Sequence, residues 1–164
     1  MYPYFDIDGI ATERLLQEWK WLAPGEFDLL AVNAFGDLFL QDFQGRVHRL
    51  DVTSGTISSI AASREEFRVA ARDAEKKRDW LLEELAEQAQ RLGCSPGKGQ
   101  CVGGKIPFVF AQSANAPENM YVADLYEYVS FMGDLHSQIK SVPDGGQVRI
   151  RIQPRPVDPH PRQS

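Results

Sequence analysis

The stretch Phe27-Asp-Leu-Leu-Ala-Val-Asn-Ala-Phe-Gly-Asp-Leu-Phe-Leu-Gln-Asp-Phe-Gln-Gly-Arg-Val-His-Arg-Leu-Asp-Val-Thr-Ser-Gly-Thr-Ile-Ser-Ser-Ile60 decides the fold. Short apolar runs alternate in it with clusters of Gly, Asp and Ser, residues that favour turns for backbone reasons. Phe27–Ala34 reads as a strand, Gly36-Asp37 as a turn and Leu38–Gln41 as a second strand. Asp42-Phe-Gln-Gly45 turns the chain into Val47–Val52, and Ser54-Gly55 turns it again into Thr56–Ile60. Connections this short permit only neighbouring antiparallel strands, because a parallel pair needs a crossover of about a dozen residues or more. The stretch is a meander of about four strands.

Helices flank it. On the N-terminal side Thr12 can cap a helix through Leu22, with Leu15, Leu16, Trp19 and Leu22 on one face and Pro24-Gly25 as its stop. On the other side Ser63 and Glu66 form an S-x-x-E capping box. A helical block then runs from Ser63 to Leu92 with Phe67, Ala70, Ala71, Ala74, Leu81, Leu82, Leu85 and Ala89 in phase. Lys76-Lys-Arg-Asp79 interrupts its apolar stripe, so either two helices or one helix with a polar waist is expected. Residues 93–105 hold five glycines and read as a loop.

Beyond the loop, Ile106–Ala111 reads as a strand whose Pro107 places it at an edge or a start, and Asn119–Val122 as another. Asp124 and Glu127 offer a capping box for a final amphipathic helix on which Leu125, Tyr128, Val129, Met132, Leu135, His136 and Ile139 recur at helical spacing. Gln147–Ile152 reads as a closing strand, and four prolines between 154 and 161 imply an extended tail. The predicted class is α+β, a mostly antiparallel meander sheet packed by a long helical block and a C-terminal amphipathic helix. One domain over 1–152 precedes a Pro-rich flexible tail over 153–164. Trp19, Leu29, Phe39, Leu50, Phe67, Leu85, Leu125, Val129, Met132 and Ile139 are the expected core.

A chain of 164 residues with 43% hydrophobic and 25% charged residues lies in the globular range, which argues against disorder. Met1–Asp8 has neither a basic nor an apolar run, and no apolar stretch reaches about 18 residues, so neither a secretory signal nor a membrane span is expected and the cytosol is the expected compartment. The net charge of −5 is uneven. Residues 1–62 carry nine acidic and four basic groups, whereas residues 146–164 carry one acidic and four basic. An acidic body disfavours nucleic-acid phosphates and suits a basic protein partner.

No stretch carries a chemical motif that survives inspection. Gly99-Gln-Cys-Val-Gly-Gly-Lys105 has the glycine and lysine spacing of a phosphate-binding loop, but Ile106 stands where a magnesium-binding hydroxyl is needed and a helix precedes it instead of a strand. Cys94 and Cys101 are a lone pair, too few for a zinc site. His48, His136 and His160 are dispersed, and His136, on the apolar arc of the last helix, reads as a hydrogen-bonded core or boundary histidine. Aspartates fall at turns and caps, where they have structural reasons to be. No catalytic, cofactor or metal residues are assigned. Gly133, inside a helix that alanine would favour by roughly 1 kcal/mol, implies close approach by another element of the domain or by a partner.

Two blocks carry a family resemblance. The first holds Trp21-Leu22, the run Ala34-Phe-Gly-Asp-Leu-Phe-Leu-Gln-Asp-Phe-Gln-Gly-Arg-Val-His-Arg-Leu-Asp51, Ser54-Gly55 and Ile60-Ala-Ala-Ser-Arg-Glu-Glu-Phe67. The second holds Gly99-Gln-Cys-Val102, Pro107, Asn119–Lys140 with its Gly133-Asp-Leu-His136, and Pro143-Asp-Gly145. Together they resemble the C-terminal domain of immunity proteins for type VI secretion DNase effectors, formerly a domain of unknown function. The meander followed by Ser-x-Glu-Glu-Phe is also similar in architecture to the SUKH superfamily. The resemblance implies a bacterial, non-enzymatic immunity protein that binds and neutralises a cognate toxin, a nuclease effector, in the cytosol. The alternative is a stand-alone binding or regulatory module of the same fold with another partner. The expected toxin-facing residues are Asp37 and Asp42 on meander turns with Tyr126, Phe131 and Asp134 on the flank of the final helix. No nucleic acid, membrane or cofactor is expected, and the sequence leaves the oligomeric state open.

Overall fold

A computed structural model of the chain describes residues 6–110 and 118–149. Four antiparallel strands lie side by side in chain order: β1 (Asp28–Val32), β2 (Leu38–Gln41), β3 (Val47–Asp51) and β4 (Thr56–Ala61). The short turns dictate this neighbour-to-neighbour order. Side chains alternate across the sheet with the strand period of two. Val32, Leu38, Leu40 and Leu50 pack on one face against α1 (Thr12–Leu16) and α5 (Leu125–Ile139). Ala31, Phe39, Val47 and Ala61 pack on the other against Phe67 of α2 (Arg64–Ala70) and Trp80 of α3 (Ala74–Leu81). Phe67 and Trp80 stack with ring centroids 5.2 Å apart. The fold is α+β, and the meander is antiparallel as read.

The N-terminal helix is shorter than expected. It starts after Ala11, without a side-chain cap from Thr12, and tightens into a 3₁₀ turn over Gln17–Trp19. Trp19 is fully buried, and its Nε1 donates to the Val129 carbonyl at 2.8 Å. That contact accounts for Gly133: a Cβ there would stand 2.8 Å from both the Glu18 carbonyl oxygen and Trp19 Nε1. The close approach comes from within the fold.

The helical block is three helices. Ser63 Oγ accepts from Glu66 N at 3.1 Å as expected, while the Glu66 carboxylate accepts from Ala62 N at 3.0 Å, one residue before the cap, in a variant of the capping box. Asp73 accepts from Lys76 N at 3.0 Å and starts α3. Lys76–Asp79 therefore lies inside a helix instead of breaking one. The second break is Leu82, in the left-handed region at φ 50°, before α4 (Glu83–Arg91).

The glycine-rich stretch departs from expectation. Gln100–Gly104 is strand β5, paired antiparallel with β6 (Met120–Asp124), in a second two-stranded sheet. Glycine there makes room for rings, since a Cβ on Gly103 would lie 2.7 Å from Tyr128 Cε2 and 3.1 Å from Tyr121 Cε1. Ile106–Phe110, by contrast, is no strand: the Asn119 side chain takes both Ile106 backbone groups, at 2.8 and 3.1 Å, and Phe110 N turns back to the Pro107 carbonyl at 3.0 Å. Ala111 lies outside the described residues. Asp124 caps α5 by accepting from Glu127 N at 3.0 Å. Gln147–Arg149 forms no strand among the described residues, while 150–152 and the tail fall outside them.

Of the expected core, Trp19, Phe39, Leu50, Phe67, Leu125, Val129 and Met132 are buried; Leu29, Leu85 and Ile139 are half-buried against it. Among the described residues no helix is long and apolar enough to cross a membrane.

Candidate functional site

The β2–β3 turn presents the most exposed large apolar side chain described, Phe43, at 88%. The turn beneath it is held rigidly. Asp42 Oδ1 accepts from Gln44 N at 2.9 Å and Arg46 N at 3.0 Å. Its Oδ2 accepts from Arg46 Nε at 3.0 Å and bonds His48 Nε2 at 2.9 Å. These bonds, that to His48 foremost, hold the Asp42 carboxyl at about 2, well below the ordinary carboxylate range. Gln41 Nε2 adds a bond to the Gly45 carbonyl at 3.1 Å.

Beside Phe43 lies a shallow concavity lined by Phe27 and by the carboxylates of Glu13, Glu26, Asp28 and Asp42. Glu13 is paired with Lys20 at 3.3 Å. Glu26 and Asp28 are exposed and without an ion pair among the described residues. A second concavity, sharing Glu26, Phe27, Asp42 and Phe43 with the first, adds Pro24, Arg46, His48 and Ile57. The arrangement is an aromatic knob on a fixed turn with an acidic rim, a combination that binds by burying the ring and steering with the charge.

The five residues expected to face a partner do not form one patch. Asp37 is a correction: it is 1% exposed, not a surface group. Its carboxylate accepts from Arg49 Nη2 at 2.9 Å, Asn33 Nδ2 at 2.9 Å and Val52 N at 3.1 Å. Burial pushes its carboxyl up, with Asp51 adding to the rise, while Arg49 and Asn33 pull it down. Asp42 is on the surface turn, but its oxygens are occupied in holding that turn.

Tyr126 is half-buried and occupied internally, its Oη accepting from Ala11 N at 2.8 Å and its ring lying 4.2 Å beneath the Arg14 guanidinium carbon. Phe131 and Asp134 are exposed and line a different groove, with Leu135, Gln138, Val148 and Arg149. Residues five apart on a helix point about 140° apart, so Tyr126 and Phe131 cannot share a face. Phe43 is the residue that reading the sequence missed. Its signal was present: a large apolar residue inside Asp-x-x-Gly, where no strand alternation calls for one.

His136 is buried, as read from its arc, with Nε2 within 3.0 Å of the Val52 carbonyl and 3.1 Å of Thr53's. Both cysteines are free and buried, and burial pushes the Cys101 thiol up to about 12, so it stays protonated and unreactive. Lys105 follows a strand, not a phosphate-cradling loop. Among the described residues no three His, Cys, Asp or Glu side chains are placed to hold a metal ion.

Comparison with protein-family models finds no match to this chain, and comparison with curated proteins finds no significant one either.

Proposed function

We propose that this protein is a non-enzymatic binding protein that neutralises a basic toxin in the cytosol by docking the Phe43 knob and its acidic rim against it. The observation that carries the reading is the 88% exposed Phe43 on a turn fixed by four side-chain bonds from Asp42. An apolar ring held rigidly in water loses little conformational entropy when a partner covers it. The exposed Glu26 and Asp28 beside it complement a cationic surface such as a nuclease presents to its own substrate. The resemblance of the two sequence blocks to the immunity domain supports the same partner class.

The test is rescue from toxicity together with measured binding, using the toxin encoded beside this gene. Phe43→Ala is expected to speed dissociation and weaken binding by at least about 30-fold, corresponding to a hot-spot loss of about 2 kcal/mol or more. The Glu26→Lys, Asp28→Lys double variant is expected to slow association and weaken its salt dependence. Wild-type affinity in both, with folding intact, would move the interface elsewhere. Absence of any toxin binding would favour a module with a different partner.

A further inference from the structure

We infer that the groove between the β1 edge and α2 binds an extended, acidic segment of a partner protein. The groove is lined by Leu30 and Ala31 from β1 and by Phe67, Arg64, Arg68 and Arg72 from α2 and the turn after it. All three arginines are exposed, and none forms an ion pair among the described residues. In a chain of net charge −5, a groove lined by three arginines and no carboxylate reverses the sign over its own lining. No carboxylate is among the residues that line the groove.

Geometry narrows the occupant to a strand-like peptide. β1 is the outermost strand of the four-stranded sheet, so its outer side carries no strand partner among the described residues. Edge backbone groups accept an added strand, and the Leu29–Ala31 bulge marks where that edge bends. Arg64 and Arg68 lie four residues apart on α2, about 6 Å along the helix, and Arg72 follows on the turn after it. Same-face side chains of an extended chain repeat about every 6.6 Å. A segment with an acidic residue at every second position would therefore place successive carboxylates opposite the Arg64 and Arg68 guanidinium groups, its alternate apolar side chains turning to the other face of the sheet, where Phe27 and Leu29 pack. Arginine's planar fork suits carboxylate pairing. A nucleic-acid strand fits less well, because the surrounding body is acidic and would repel its phosphates.

The site stands apart from the Phe43 face and does not depend on the toxin-binding reading. Fluorescence anisotropy with a labelled, end-blocked heptapeptide alternating Val and Glu tests it directly. Saturable binding is expected, with about tenfold weakening in Arg68→Glu and in Arg64→Glu and smaller losses in Arg68→Lys. A peptide of the same composition with its three Glu contiguous, and one N-methylated at alternate amides, should both bind more weakly. Circular dichroism and melting confirm that the variants, exposed at these positions, stay folded.

Absence of saturable binding, indifference to both arginine reversals, or equal binding of the N-methylated peptide would overturn the proposal. So would tighter binding of an oligothymidine of matched length, or a concentration-dependent dimer that competes with the peptide and is itself lost in Arg68→Glu. Arg68→Glu should leave protection against a toxin unchanged, so either reading can fail without the other.

Discussion

Two turns of the meander are built alike and meet opposite fates. In Asn33-Ala-Phe-Gly-Asp37 the first residue's amide donates to the last one's carbonyl at 3.1 Å, and Gly36 N returns to Asn33 O at 3.2 Å. In Asp42-Phe-Gln-Gly-Arg46 the corresponding bonds are both 3.0 Å. The leading side-chain oxygen accepts from the third and fifth amides in each. Each glycine has φ of 86°, the left-handed position that closes a three-residue hairpin loop. Yet Phe35 is 2% exposed and Phe43 is 88% exposed. The first turn is covered by the second sheet and α4, with Val102 N bonded to Ala34 O at 2.7 Å and Phe35 packed among Ala86, Ala89 and Met120. Nothing described covers the second. Local chemistry sets the shape of a turn, and the distant chain decides whether that turn becomes core or contact surface.

The largest effect should come from the buried carboxylate. Asp37→Ala removes the buried partner of Arg49, itself only 13% exposed, leaving it the longer contact to exposed Asp79 at 3.7 Å, and leaves the amide of Val52 without its acceptor. A loss of about 3–5 kcal/mol is expected in denaturant unfolding. Asp42→Ala at the matching turn should cost clearly less, because water can replace the lost bonds. Equal losses would mean that the two turns are equally exposed in solution. The phenylalanines give the same contrast with a second readout. Phe35→Ala should cost about 3–5 kcal/mol, whereas Phe43→Ala should stay within about 0.5 kcal/mol for stability while weakening partner binding. A folded, fully binding Phe43→Ala protein would remove the acidic face from consideration.

What the sequence reveals follows the same division. The β2 strand, the N-caps at Ser63 and Asp124 and the arc of α5 were legible because each is fixed by neighbours three or four residues away. β5 was not, because Gly103 and Gly104 look like a loop until Tyr128, some twenty-five residues on, is seen filling the space of their missing side chains. The break at Leu82 was equally hidden, since a left-handed leucine carries no local signal. Asp37 read as a surface turn residue for the reason just given: its turn is ordinary and its cover is remote. The Arg64, Arg68, Arg72 series was visible in the sequence, but its meaning depended on the β1 edge lying beside it.

A smaller effect is expected where α1 crosses α5. Gly133→Ala gains helix propensity of up to about 1 kcal/mol but forces a methyl against the Glu18 carbonyl and Trp19. Trp19 cannot swing away without losing its bond to the Val129 carbonyl. Overpacking of this kind costs about 1–3 kcal/mol, so a net destabilisation should appear in thermal melts. A stabilised variant would show that the crossing is looser than the buried Trp19 implies.

The smallest effect separates the two turns by titration. Asp42, held at about 2 by His48 and the Arg46 amide, has a folded pKa below its unfolded value of 3.8. Its contribution to stability is therefore present above pH 3.8 and is lost as pH falls through about 2, because the unfolded chain takes up the proton first. Asp37, raised by burial, works in the opposite sense. The folded chain holds its proton more tightly, so the contribution is present at acid pH and is lost as pH rises from 3.8 through the raised folded value. Carboxyl carbon shifts followed by NMR across acid pH should place the Asp42 midpoint near 2 and the Asp37 midpoint above 3.8. An Asp37 midpoint below 3.8 would show that Arg49 and Asn33 outweigh desolvation, and that the covered turn is held as an ion pair throughout the acid range.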